Sequence, residues 1–321
     1  MAFDAPTRMP KQTNIWVISD GKAGHESQSV GLARAIEELT GARHRVIRGS
    51  QPEASPFAWL FGRAPEPEAH GPPDLVIGTG AATHAILRAC KRAYGARTIV
   101  IMRPSFGRFD LIIPPAHDSM RESWNVIPTR GAMNLAKPSE RKDPAKGLLL
   151  IGGPSKHHGW DNDAMAQQIR EIIERSGDTS WTLTTSRRTP ASFLETLERA
   201  FADIPDARAR LDVHPASVTT REWLLDRYAE SERIWVSEDS VSMVYESLTS
   251  GARVGLFRVP RTERVGRVVR GMDALAHDGW LMWFEDWRAA GALRAAPEKL
   301  DEAARVAEIV VDRLDLPRSA P

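Results

Sequence analysis

Residues 234–257, IWVSEDSVSMVYESLTSGARVGLF, admit few folds. A short strand, 234–237, meets the polar turn Glu238-Asp239-Ser240, after which Val241, Val244 and Leu248 fall on one face of a helix. Asp239 or Ser240 is expected to accept the N–H groups of the first helical turn. Gly251 suits the left-handed position past the last, and 254–257 reads as the next buried strand. A strand–helix–strand unit of this kind builds a parallel sheet. Its turn lies at the carboxyl edge, where the positive end of the helix faces whatever binds. Glu246, two turns into the helix, is placed to reach that crevice and accept from a pair of sugar hydroxyls, although the spacing fits a solvated helix glutamate as well.

The same grammar recurs along the chain. The apolar strand 14–19 runs into Asp20-Gly21-Lys22-Ala23-Gly24-His25-Glu26-Ser27-Gln28 and a helix expected over 27–39. Glycines 21 and 24 let backbone N–H groups approach a ligand, while Asp20, Lys22, His25 and Glu26 offer charge and proton transfer. Strand 74–77 leads into Gly78-Thr79-Gly80-Ala81-Ala82-Thr83-His84 and a helix. Strands follow at 98–102 and 109–113, with His117 and Asp118 just past the second. In the second half, strand 147–151 precedes Gly152-Gly153-Pro154-Ser155-Lys156, and strand 181–185 precedes Ser186-Arg187-Arg188. These two turns bring N–H groups, hydroxyls and positive charge to neighbouring strand ends, which suits a diphosphate. Strand–turn–helix repetition on this scale predicts an α/β protein of two Rossmann-like, doubly wound domains facing across a cleft. The expected boundaries are 1–140 and 147–295, joined by the polar, proline-broken linker 137–146, with a closing helix and tail over 296–321.

A chain of 321 residues suits two such domains. With 43 Lys plus Arg against 42 Asp plus Glu it carries no overall field that would recruit nucleic acid. The single cysteine, Cys90, excludes an intrachain disulfide and any multi-cysteine metal centre. No apolar run spans a bilayer and the first residues lack a signal-peptide core, so the expectation is a soluble cytoplasmic protein. Two features leave contact with the inner face of the membrane open. One is the cluster Phe57-Ala-Trp-Leu-Phe61, which also reads as part of a domain core. The other is the arginines at 258, 261, 264, 267 and 270, which would line one side of a helix.

The segments SDGKAGHESQ, DLVIGTGAATH, FDLIIPPAHD, LLLIGGPSKHHGW, LTTSRRTP and VSEDSVSM together resemble the mitochondrial-fission "elongated mitochondria" family over residues 14–290. At greater distance that family is similar to GT-B glycosyltransferases. In particular, 237–251 resembles the donor-binding segment of the enzyme that adds N-acetylglucosamine to the lipid-linked peptidoglycan precursor. The resemblance implies that Glu246 binds ribose hydroxyls and that Ser240 and Ser242 lie near the diphosphate. Together with the two turns of the second half, the expected donor site is Gly152, Gly153, Ser155, Lys156, Ser186, Arg187, Glu238, Asp239, Ser240, Ser242 and Glu246. Glu238 and Asp239 bring negative charge to that site, which Lys156, Arg187 or a cation must offset.

The acceptor then belongs to the first half, near Gly21, Gly24, Gly78, Thr79, Gly80 and Thr83. His25 is the expected base, with Asp20 or Asp118 as substitutes. The leading expectation is a metal-independent glycosyltransferase, since no Asp-x-Asp pair stands at a strand end. It would use a nucleoside-diphosphate sugar as substrate, no cofactor, and an acceptor that a lipid could supply. A non-hydrolysing nucleotide-sugar epimerase using Asp20, His25, Glu26 and Asp118 is the alternative enzyme. A non-catalytic adaptor recruited to a membrane is the alternative without chemistry.

Overall fold

A computed structural model of the chain describes residues 12–48, 63–67, 71–115, 118, 120–262 and 266–319, with the backbone alone at 267 and 268. The cluster 57–61, His117 and Arg264 lie outside these residues. Two compact units result. One comprises 1–134 with 302–321, and the other 135–301.

In the first unit the strands β1 (Asn14–Ser19), β2 (Arg43–Arg48), β3 (Leu75–Thr79), β4 (Arg97–Ile101) and β5 (Leu111–Ile113) pair in parallel. Their order is β2-β1-β3-β4-β5, so the winding reverses between β1 and β3. Helix α1 (Ala23–Thr40) follows β1 and helix α2 (His84–Tyr94) follows β3. Parallel strands covered on both faces need continuous apolar sequence, and Ile15, Trp16, Val17 and Ile18 are all buried.

The second unit has six parallel strands: β6 (Asp143–Leu150), β7 (Ser180–Thr184), β8 (Leu211–His214), β9 (Ser231–Ser237), β10 (Arg253–Phe257) and β11 (Met282–Trp283). Their order, β11-β10-β9-β6-β7-β8, is the 3-2-1-4-5-6 winding of dinucleotide-binding domains, with its switch point between β6 and β9. Helices α3 (Asn162–Glu174), α4 (Phe193–Ala200), α5 (Pro205–Arg208), α6 (Arg221–Glu230), α7 (Val241–Thr249), α8 (Arg267–His277) and α9 (Phe284–Ala290) connect the strands. Side-chain alternation divides the core. Leu148, Leu150, Ile234, Val236, Val254 and Leu256 join Val244, Leu248 and Met272 on one face, while Leu149, Trp181, Trp235 and Phe257 join α3, α4 and α9 on the other. Glycine makes room for the large rings. A Cβ at Gly147 would lie 2.3 Å from the Trp181 ring, and one at Gly255 would lie 2.5 Å from that of Trp235.

Several expectations shift. Helix α1 starts at Ala23, which puts His25 and Glu26 in its first turn rather than in a loop. Strand β6 begins inside the expected linker, and the chain passes between units at 134/135 and again at 301/302. The closing helix α10 (Glu302–Arg313) packs on α1 and so belongs to the first unit. The described arginines 258, 261, 267 and 270 form no single helical stripe, because α8 begins only at Arg267. Arg258 stacks 3.7 Å from the Trp283 ring centre and pairs with Glu285, and Arg261 pairs with Asp273 and Glu238.

Lys142, in the expected linker, is held rather than solvated. Its Nζ donates to Tyr228 O (2.6 Å), Ser231 O (3.1 Å) and Ser250 Oγ (3.1 Å). Burial pushes this ammonium down from 10.5 to about 8, against the pull of Glu232. Between those values the unfolded chain holds a proton that the folded chain has released, so the site's contribution to stability rises with pH over that window. The urea midpoint of wild type relative to Lys142→Met should therefore rise between pH 8 and pH 10. Gly147→Ala should cost about 1–3 kcal/mol in the same measurement, because the added Cβ, 2.3 Å from the buried Trp181 ring, forces that ring to shift.

Candidate functional site

Both winding reversals open at carboxyl edges, and each edge is built differently. At the first, β1 ends in Ser19-Asp20 and α1 begins three residues later. The Asp20 carboxylate accepts from Lys22 N (3.1 Å) and faces His25 Nδ1 at 2.8 Å. Ser19 Oγ donates to Glu26 Oε2 (2.6 Å) and accepts from Gly21 N (3.1 Å). Burial would raise the Asp20 pKa, but the Lys22 N–H, the His25 ring and the Lys22 ammonium outweigh it and hold the carboxyl below its usual range. With Nδ1–H directed at a carboxylate, the neutral imidazole presents its lone pair at Nε2, the arrangement of a general base.

The His25 ring rests on Gly80 across the reversal. A Cβ there would lie 2.7 Å from His25 Cε1, and the residue's φ of 83° also favours glycine. Thr79 and Thr83, expected on the acceptor side, are buried braces: Thr79 Oγ1 meets Ser29 Oγ at 2.7 Å and Thr83 Oγ1 donates to Gly80 O. A Cβ at Gly78 would strike Thr83, so that glycine serves packing. Gly21, at φ 81°, and Gly24 border open space. Asp118 is not brought to His25. It accepts from Arg103 N (3.3 Å) past β5, and three strand spacings separate β5 from β1, about 14 Å.

At the second reversal the protein supplies its own partners. Gly152 N donates to Ser237 Oγ (2.7 Å) and Gly153 N to Asp239 Oδ2 (3.1 Å), so neither amide awaits a ligand. A Cβ on Gly152 would lie 2.3 Å from the Asp239 carboxylate, and one on Gly153 would lie 2.2 Å from Arg188 O. The arginine that enters the site is therefore Arg188. Its Nη2 donates to Asp239 Oδ2 (2.6 Å) and its Nη1 to Gly153 O and Pro154 O. Arg187 is exposed, as is Lys156, and neither makes a hydrogen bond or ion pair with the described residues. Ser186 Oγ donates to Gly152 O (3.0 Å), and Ser155 Oγ meets His158 Nδ1 at 3.2 Å.

Glu238 and Glu246 do not present themselves to a donor. Glu238 is wholly buried, accepting from Val259 N (3.1 Å) and Arg261 Nε (2.8 Å). Burial would raise its pKa, but His158, Val259 N–H and Arg261 together lower it. Glu246 accepts from Arg221 Nη2 (2.6 Å) and Tyr228 Oη (3.0 Å), both on α6, a helix absent from the sequence-based expectations. The Thr220 cap that accepts Trp223 N was the signal available for it. Neither Asp239 nor Ser240 caps α7, so the first-turn N–H groups of that helix receive no side-chain cap. Exposed Ser242 lies in that first turn, and the two loops tied to Asp239 through Gly153 and Arg188 also carry the half-buried Ser155 and the exposed Lys156 and Arg187, which gives this carboxyl edge a cationic character.

A family model described as Mitochondrial fission ELM1 matches residues 23–314. The chain belongs to this family. No curated protein matches it in sequence. Among solved structures it is similar to a putative UDP-N-acetylglucosamine 2-epimerase from Listeria monocytogenes, with TM-score 0.58 and 12% identity over 97% of this chain and 100% of that one. It is also similar to the Neisseria meningitidis UDP-GlcNAc 2-epimerase bound to UDP-GlcNAc, with TM-score 0.52 and 11% identity over 94% and 99%. A third likeness is to the glycotransferase of kitacinnamycin, with TM-score 0.50 and 13% identity over 95% and 100%. At these identities the likeness shows the fold, the paired Rossmann-like domains of GT-B proteins. Among the described residues no helix of this ELM1-family chain is long and apolar enough to cross a membrane.

The depressed Asp20 pKa has a stability consequence. The carboxylate's contacts stabilise the fold fully above the ordinary value of 3.8 and are lost as pH falls through the lower folded value. Asp20→Asn should cost about 1 kcal/mol at pH 7 by chemical denaturation, with the difference from wild type shrinking as pH falls below the ordinary value of 3.8 and through the lower folded value.

Proposed function

We propose that this ELM1-family protein is a glycosyltransferase that takes a sugar from a nucleoside-diphosphate donor. The carrying observation is the pairing of Asp20 with His25 Nδ1 at 2.8 Å, which orients one base at the first unit's winding reversal. A transferase needs one such base. The acceptor hydroxyl gives its proton to His25 Nε2, its oxygen bonds to the anomeric carbon, and the bond from that carbon to the diphosphate oxygen breaks. The departing diphosphate takes up the negative charge. The second unit's cationic edge, with Lys156, Arg187, Arg188 and the uncapped start of α7, is the place for it. Ser242 and Ser155 add hydroxyls there.

The epimerase reading draws on the likeness to structures of UDP-GlcNAc 2-epimerases, one of them bound to UDP-GlcNAc. It needs further acid–base groups around one sugar carbon. Glu26 is tied to Ser19 and Asp118 to Arg103, which favours the transferase.

Calorimetric titration with a panel of nucleotides and nucleotide sugars tests both readings. One nucleotide sugar should bind saturably, with affinity at least tenfold lower in Arg188→Ala, a loss of about 1.4 kcal/mol. His25→Ala should keep that affinity and lose turnover. Donor isomerised without any acceptor would establish the epimerase instead. A folded protein that binds nothing in the panel would leave only the membrane-recruited adaptor, with a lipid or membrane surface as its partner.

A further inference from the structure

The Asp239 carboxylate lies where an anion's oxygens belong. Its Oδ2 collects a backbone N–H from the glycine turn after β6, at 3.1 Å from Gly153 N, and a guanidinium N–H, at 2.6 Å from Arg188 Nη2. A glycine-turn amide with an arginine beside a helix N-terminus is the donor set that proteins offer to phosphate oxygens. The absence of a side chain at Gly152 leaves the space that the carboxylate fills, its two oxygens 2.3 and 2.6 Å from where a Cβ would stand. The fit is incomplete on one side. Asp239 Oδ1 is buried and accepts no hydrogen bond from the described residues, the kind of deficit a native interior rarely tolerates without purpose.

From this geometry we infer that Asp239 is a resident anion, a built-in competitor that a diphosphate must displace from Gly153 N–H and Arg188 in order to bind. The inference rests on the donor-site reading above and deepens it by naming the group that regulates that site. Arg188 is suited to the exchange. Its side chain is 40% exposed while that of Asp239 is fully buried, so the guanidinium can turn from the internal carboxylate to an incoming phosphate without leaving the edge. A neutral or singly charged ligand gains nothing from such an exchange. The site thereby selects a group carrying several anionic oxygens.

The test uses the full chain and two probes, inorganic pyrophosphate and UDP, titrated by calorimetry into wild type, Asp239→Asn, Asp239→Ala and Asp161→Asn. Asp161→Asn removes a charge from the loop after β6, the loop that carries Gly153, and keeps a side-chain cap on α3. Asp239→Asn should bind pyrophosphate and UDP at least tenfold more tightly than wild type, Asp161→Asn should show no such gain, and adding Arg188→Ala should abolish it. Should neither Asp239 variant fold, the wild type still decides. Its Gly153 amide resonance must move when pyrophosphate saturates, and an unmoved resonance overturns the inference.

Other outcomes separate the two claims. UDP binding to wild type with no gain in Asp239→Asn overturns the resident anion and leaves the donor site standing. A gain for pyrophosphate with no UDP binding in any variant supports the exchange and removes the nucleotide donor. A folded set that binds neither probe overturns both.

Discussion

Three buried carboxylates at the end of β9 and along α7 hold the second unit's carboxyl edge together, each through an arginine from a different segment. Glu238 takes Arg261 from beyond β10, Asp239 takes Arg188 from beyond β7, and Glu246 takes Arg221 from α6. The hydrogen-bond ladder of a parallel sheet stops where its strands end, so the loops that leave them need other ties. Here the ties are ionic. Removing an arginine would strand a buried carboxylate at a cost of several kcal/mol, whereas the arginines themselves are partly exposed, so the edge is most sensitive on the cationic side of each pair.

The two winding reversals show how one architecture supports different chemistry. In the first unit the carboxylate at the strand end turns outward to a partly exposed histidine, and the result is an oriented base. In the second the corresponding carboxylates turn inward to arginines, so that their charge is matched inside the protein, with the half-exposed Arg188 the partner placed to exchange. That neutralisation answers the conflict visible in the sequence. Arg261 offsets Glu238 where it is buried, and Arg188 offsets Asp239 until an incoming anion competes for it.

The fold was legible because parallel strands must be apolar on both faces. Runs such as Ile15 to Ile18 and Leu148 to Ile151 stand out between polar turns, and glycines mark where helices stop, as Gly251 does at φ 80°. What the sequence concealed were partnerships set by distance. Glu246 looks like a ligand group until α6 is placed beside it, and α6 is hard to read because only Tyr228 of its residues is fully buried, so the apolar period is weak. Arg187 and Arg188 are neighbours of the same type, and which one turns inward depends on the backbone of a four-residue turn. The glycine pair 152–153 looked like an opening for a ligand, whereas its space is taken by Asp239 and by the backbone of Arg188.

The linker shows the same limit from the opposite side. Residues 137–146 are polar and broken by prolines, the composition of a solvated connection, yet Lys142 reaches carbonyls at the ends of α6 and β9's start and the hydroxyl that follows α7. Helix ends leave carbonyls without partners, and an ammonium on a long flexible stem is a compact way to serve several at once. The segment that enters the second unit thus fastens the far ends of the two helices whose side chains meet at Glu246. Entry strand, α6 and α7 form one body, with Lys142 at one end and the Arg221–Glu246–Tyr228 contacts along it. A change at the linker therefore bears on the helix that carries the candidate donor edge, a coupling that composition alone would never suggest.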